Sequence, residues 1–274
     1  MNNKWYFLCI MFFTVLLTKQ AWGFAFFVVN DDVLEISATG TPVIWEEKNV
    51  AIGININRQP LKQQLLDGML QWNNTGANIT LVEGQRTGLA CVHGDGLNNV
   101  ELSQNICGRD WGDTLGITTL SSLTFGDATY LTEADILLRS FDSDPTRKWA
   151  ANSDPLIAEN FYCYQNNQGG ETCDFARVVL HELGHAIGLN HPDEIEQSVK
   201  AIMNSGNTQN QTGRILAADD IAGIRTLYPN NRDAITRTAG LESLPSNSDN
   251  SNGGGAINLG LLLGLLCLIR KRFW

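Results

Sequence analysis

Apolar and polar positions along the chain fall into a few short periods. Residues 50–56 read VAIGINI, an alternation that predicts a strand. Leu61, Leu65, Leu66, Met69 and Trp72 then recur at helical spacing and predict a helix over 60–72. After the turn-rich NNTGAN, residues 79–82 and 100–102 predict two short strands. LGITTLSS and YLTEADILLRS predict two more, joined by the turn residues LTFGDA. Residues 142–173 are rich in Asn, Gly and Asp and read as a loop. Asp174 is a suitable N-cap for a helix that starts at about Phe175. Strands interleaved with one early and one late helix predict a mixed α/β domain, with no internal repeat.

The two ends do not fit that pattern. Lys4 precedes an apolar run, Trp5 to Leu17, and Ala21-Trp22-Gly23 offers small residues for a cleavage site. This is the form of a signal peptide over 1–23, with a membrane anchor as the alternative. Residues 236–255 form a Ser/Asn/Gly linker ending in SNSDNSNGGG. An apolar stretch over 256–269 follows, closed by Arg270-Lys271-Arg272. As a helix it would be about 21 Å long, short of a hydrocarbon core of about 30 Å. Its basic end should stay cytoplasmic, leaving the domain outside. The order of glycines, short span and basic cluster resembles the GlyGly-CTERM sorting tails of Gram-negative bacteria. The resemblance implies an exported protein, held at the cell surface by a temporary anchor that a rhomboid-type protease removes. A permanent tail anchor is the alternative.

Charge narrows the choice of partner. The chain carries 19 basic and 29 acidic residues, a net of −10. Five of the basic residues, Lys4, Lys19, Arg270, Lys271 and Arg272, lie in the ends, so residues 24–255 keep 14 and reach −15. Such a domain is a poor partner for nucleic acid or an anionic membrane surface. Between the ends lie four cysteines, Cys91, Cys107, Cys163 and Cys173. Three pairings are open; the local ones, 91 with 107 and 163 with 173, each bracket a Gly/Asn-rich loop. A thiolate metal site is the rival, but no C-x2-C spacing supports it.

The chemistry concentrates in HELGHAIGLNH, residues 181–191, which holds three of the four histidines. His181 and His185 are four apart and leave the same helix face, a spacing that suits two ligands of one zinc. Glu182 can reach a water on that metal, take its proton and later deliver it to the leaving amine. Gly188 can adopt a left-handed conformation and turn the chain back, so that His191 meets the same ion. On a continuing helix His191 would lie about 9 Å further along the axis. Three protein ligands leave one zinc position open, which favours catalysis over a structural staple.

His181-Glu182-x-x-His185-x-x-Gly188-x-x-His191 resembles the extended zinc motif of the metzincin metalloproteases. That family also carries a methionine turn beneath the zinc. AIMNSG, with Met203 twelve residues after His191, is similar to it. Residues 219–229, DDIAGIRTLYP, resemble the last helix of the matrixin branch. WEEKNVAIGIN and LLDGMLQWNN resemble its first strand and helix, GDTLGITTL its edge strand, and EADILL the strand beside it. The similarity spans roughly 41–229 within a catalytic domain at 24–235.

The resemblance implies an α/β (α+β) metzincin-like fold. Its sheet would be mixed, mostly parallel and twisted, with an antiparallel edge strand. An active-site helix and a small C-terminal subdomain with the methionine turn and final helix would complete it. It implies a zinc-dependent endopeptidase of protein or peptide substrates, with one catalytic zinc per chain. Leu115, Gly116 and Ile117 would lie on the edge strand that pairs with substrate. Met203 would support the site without binding the metal. The Asp-rich loops admit calcium, though no calcium-loop pattern is present.

Several features depart from the family. Pro192 after the third histidine is closer to the serralysin branch, yet no calcium repeats follow. Asn204-Ser205 follow Met203 where some branches place a tyrosine. His93 in HGDG echoes the start of the matrixin structural zinc site, but the other histidines for it do not exist, so it reads as a loop histidine. No cysteine lies over 24–90 to act as a latency switch. Two other functions compete with the protease. One is a non-catalytic surface binding or adhesion protein with a vestigial zinc site, and the other a zinc hydrolase of non-peptide substrates.

Overall fold

The structure is a computed structural model that describes residues 23–30, 33–86, 88–150, 162–165, 169–206, 212–230 and the backbone of 267–270. Residues 1–22 of the leader predicted over 1–23, the linker over 236–255 and most of the tail lie outside the described residues. Among the described residues no helix is long and apolar enough to cross a membrane.

The alternating segment VAIGINI forms β4 (Asn49–Asn55), one residue earlier than its pattern. The stripe over 60–72 forms α1 (Gln59–Asn73), burying Leu61, Leu65, Met69 and Trp72. β5 (Thr80–Gly84) and β6 (Asn98–Ser103) flank β4, both parallel to it. β6 runs parallel to β8 (Ala128–Arg139), and β8 pairs antiparallel with β7 (Thr114–Phe125). β3 (Ile44–Trp45) adds a further parallel pairing at the start of β8. The sheet is therefore mostly parallel with one antiparallel strand near its edge, as the metzincin-like fold class requires. β13 (Cys267–Arg270) lies antiparallel on the outer side of β7.

Some expectations are corrected. LTFGDA is mostly strand: Phe125 pairs with Ala128, so only Gly126 and Asp127 make the turn. A two-residue hairpin needs positive φ, which Gly126 supplies at +60°. The 142–173 loop contains a small sheet, β9 (Arg147–Trp149), β10 (Cys163–Gln165) and β11 (Glu171–Cys173). Three-residue strands are too short to show a period, and β9 becomes a strand through parallel pairing with β11. At the N-terminus β1 (Ala25–Asn30) and β2 (Val33–Ser37) form a hairpin that no pattern announced. Both local cysteine pairings form disulfides, Cys91–Cys107 and Cys163–Cys173.

α2 (Phe175–Ala186) runs through the middle of the core, with every residue buried except Ala176. α1 packs on one side of it and β7 on the other. Asp174 caps α2 as predicted, accepting from the amide of Arg177. α3 (Ala218–Leu227) closes the domain.

Candidate metal centre and catalytic site

His181 and His185 project from α2 one turn apart, and both are completely buried. The helix ends at Ala186, where Trp45 Nε1 and the Tyr228 hydroxyl satisfy the last carbonyls, those of Ala186 and Ile187. Gly188 follows at φ +97°, the left-handed conformation its place in the motif predicts. The returning chain forms β12 (Leu189–Asn190), which pairs antiparallel with β1. The N-terminal hairpin thereby fixes the direction from which His191 enters.

The three Nε2 atoms form a triangle with sides of 2.9, 3.0 and 3.0 Å. His181 Nδ1 faces the carbonyl of Ile202 at 2.8 Å, and His185 Nδ1 that of Leu189 at 2.9 Å. His191 Nδ1 faces the Glu194 carboxylate at 2.9 Å. Carbonyls and carboxylates only accept, so each Nδ1 must donate. An imidazole held this way turns its Nε2 toward the other two, and that nitrogen carries a lone pair when the ring is neutral. Burial, before the neighbouring imidazoles, pushes His181 and His185 well below the usual histidine range, which keeps them neutral. Three lone pairs this close repel unless a cation sits among them. The separations approach the about 3.3 Å expected around a tetrahedral zinc with ligands at about 2.0–2.1 Å. The residues present fit the metal that the matrixin resemblance implies.

Glu182 follows His181 on the helix and is also fully buried. Its Oε2 accepts from the Thr118 hydroxyl at 2.7 Å, while Oε1 accepts no hydrogen bond from the described residues. Burial pushes this carboxyl up to about 8, against the lowering effect of Thr118. Gly116 lets β7 come this close: a Cβ there would stand 2.7 Å from Glu182 Oε1. Of the predicted edge residues, Gly116 thus faces Glu182. Ile117 packs with Trp111, Ile106 and Leu137, and Leu115 is buried. Their outer backbone edge carries β13, with Leu268 opposite Ile117 and Cys267 opposite Thr118.

Met203 is buried against α2, its thioether over Gly184. Its turn is held by Asp220, which accepts from the amides of Ile202 and Met203. The same turn supplies the carbonyl that orients His181. Ser205, standing where some branches have tyrosine, is held by Asp193 through its amide and hydroxyl, each at 2.8 Å. Thr118, Glu194, Asp193 and Asp220 went unmarked in the motif reading. Glu194 alone had a sequence signal, an acid three residues beyond a ligand histidine.

His93 is exposed, near two buried acids, Glu133 and Asp135; donor atoms of the three lie within 4.8 Å of one another. Glu133 spends its oxygens on the amides of Gly94 and Gly96, so it holds the HGDG loop. Among the described residues there is no set of histidines around His93 to match a second family zinc site.

Residues 119–229 match the sequence model of the matrixins, Peptidase_M10. Two solved structures of myroilysin are similar at 16% and 14% identity, with TM-scores of 0.35 and 0.34. The matches cover 68% and 69% of this chain and 86% and 83% of those. No curated protein matches the chain. The matrixin match falls on the stretch that holds all three imidazoles, Glu182 and the Met203 turn, so this part of the chain is similar to the matrixins, a metalloprotease family that implies zinc.

Proposed function

We propose that the protein is an exported zinc endopeptidase that hydrolyses internal peptide bonds of proteins. The observation that carries this reading is the triangle of three Nε2 lone pairs beside a buried, half-satisfied Glu182. His181, His185 and His191 would hold the ion. A zinc ion so held supplies a Lewis acid that polarises a carbonyl and acidifies water.

The chain's own residues supply the rest. Thr118 tethers Oε2 of Glu182, which leaves Oε1 to take a proton from water and return it to the departing amine. Burial raises the carboxyl above the usual carboxylate range, which helps it hold a proton between uptake and release. An extended peptide would pair with the outer edge of β7 along Leu115 to Thr118, in the antiparallel sense that 267–270 adopts there. Two disulfides support export to an oxidising compartment. Once 267–270 leave the edge of β7, the apolar stretch over 256–269 would serve as the surface anchor.

Full-length protein loaded with zinc is expected to cleave casein. Glu182→Gln is expected to keep one zinc per chain and lose turnover. A Glu182→Gln variant that cleaves as fast as its parent overturns the mechanism. Zinc-free protein without chelator-sensitive activity would return the site to a vestigial one.

A further inference from the structure

The three imidazoles are oriented by unlike partners. His181 and His185 are held by main-chain carbonyls of Ile202 and Leu189, and their rotamers are also constrained by α2. His191 lies outside the helix, after the left-handed Gly188 and the two residues of β12, so no helix constrains it. Its Nδ1 is held by a side chain, the Glu194 carboxylate, at 2.9 Å. Its own side chain is 3% exposed and that of Glu194 44%.

Glu194 is brought there by a local device. Residues Pro192–Ile195 form a 3-10 turn that starts directly after His191. Proline at its first position presets the backbone angle. The amide of Glu194 donates to the carbonyl of His191, and that of Gln197 to the carbonyl of Pro192. Asp193, the other acid of the turn, points elsewhere: its carboxylate takes the amide and hydroxyl of Ser205, two residues past Met203. The turn is thus anchored to the methionine turn through Asp193 and reaches the third imidazole through Glu194. Met203 itself is tied from the other side by Asp220. Two consecutive acids therefore couple the third candidate ligand to the floor of the site.

We propose that Glu194 is a positioning residue for the metal. Its carboxylate fixes the Nδ1–H tautomer of His191 and makes the ring a stronger donor, while Asp193 holds the turn that presents it. A carboxylate behind a ligand histidine withdraws Nδ1–H density toward itself and raises the basicity of the opposite nitrogen more than a carbonyl does. Loss of such partners costs about 10–100-fold in metal affinity. The inference rests on the reading of the triangle as a zinc site. It assigns to Pro192-Asp193-Glu194 the task of completing the third ligand, which the histidine motif alone does not supply.

The test is a chelator competition for zinc on the full-length chain, with Glu194→Ala and Glu194→Gln beside the parent. The thermal midpoint of each metal-free protein is measured in parallel. The zinc Kd is expected to rise at least about tenfold for Glu194→Ala. It should rise less for Glu194→Gln, whose carbonyl still accepts. Metal-free midpoints should be unchanged, and the cobalt-substituted absorption bands of Glu194→Ala should shift. Equal zinc Kd values in parent and Glu194→Ala overturn this inference alone. So does a loss of affinity matched by a lower metal-free midpoint in both variants, which would make Glu194 merely structural. A parent that binds no zinc overturns the metal reading, and this inference with it.

Discussion

The amide of Gly23 donates to Oδ1 of Asp219 at 2.8 Å, a buried bond between residues 196 apart in the sequence. It ties the start of the N-terminal hairpin to α3. The next residue, Asp220, grips the Met203 turn. The hairpin also pairs with β12, just before His191. In the unprocessed chain, which retains Gly23, Asp219→Ala would leave a buried amide without an acceptor, at a cost of about 1–3 kcal/mol. A thermal midpoint lowered by several degrees is expected, with Asp219→Asn closer to the parent. Calorimetry on the three proteins checks it, and equal midpoints would refute it.

Thr118 holds the candidate base in place. Thr118→Val removes the hydroxyl bonded to Glu182 Oε2 and leaves the volume nearly unchanged. A hydrogen bond to a charged group contributes about 1.5–3 kcal/mol. The expected result is a drop of about 10–100-fold in kcat with zinc content intact. Thr118→Ser, which retains the hydroxyl, should recover most of it. Steady-state kinetics with metal analysis would expose a role that is only packing, since KM and kcat would then both stay near the parent.

Asp135 gives the fold a pH dependence. Burial first, and then the neighbouring Glu133, push its carboxyl from 3.8 up to about 7. Because the folded value is raised, the contribution is complete below about pH 4 and is lost as the pH climbs through 7. Asp135→Asn cannot ionise and keeps an oxygen for the Asn99 amide. The parent is therefore expected to lose stability relative to Asp135→Asn between pH 4 and 7, by a few kcal/mol at about pH 7. Denaturant unfolding across that range is the measurement. Parallel curves would show that Asp135 does not titrate differently in the folded state.

The outer edge of β7 is covered by the backbone of 267–270. An extended substrate needs the same row of amides and carbonyls. Removing residues 256–274 is expected to raise kcat/KM for long peptides at least severalfold, mainly through KM. Dipeptides too short to pair with the strand should gain little. Equal values for the full and shortened chains would show that the covering strand does not compete.

The candidate metal centre was largely legible because its geometry is local. A spacing of four places His181 and His185 on one helix face, and Gly188 has the left-handed φ its position demands. The Asp174 cap, the stripe of α1, the alternation of β4 and the disulfide loops are local in the same sense, whereas the parallel pairing of the strands was only what the family resemblance implied. LTFGDA misled because turn-favouring residues also sit in the last rungs of a hairpin whose register only its partner strand decides. The strands β9 to β11 are too short to carry a period.

What tertiary structure decided are the partners of the motif. Thr118 reaches Glu182 across 64 residues, and Asp219 reaches Gly23 across 196. β1 must pair with β12 before the return of His191 has a direction. Periodicity reports which face a residue occupies, but a bond between elements depends on how those faces pack. The chain alone therefore determined the three candidate ligands and the base, whereas the packing of β7, the hairpin and the methionine turn around α2 determined what orients them.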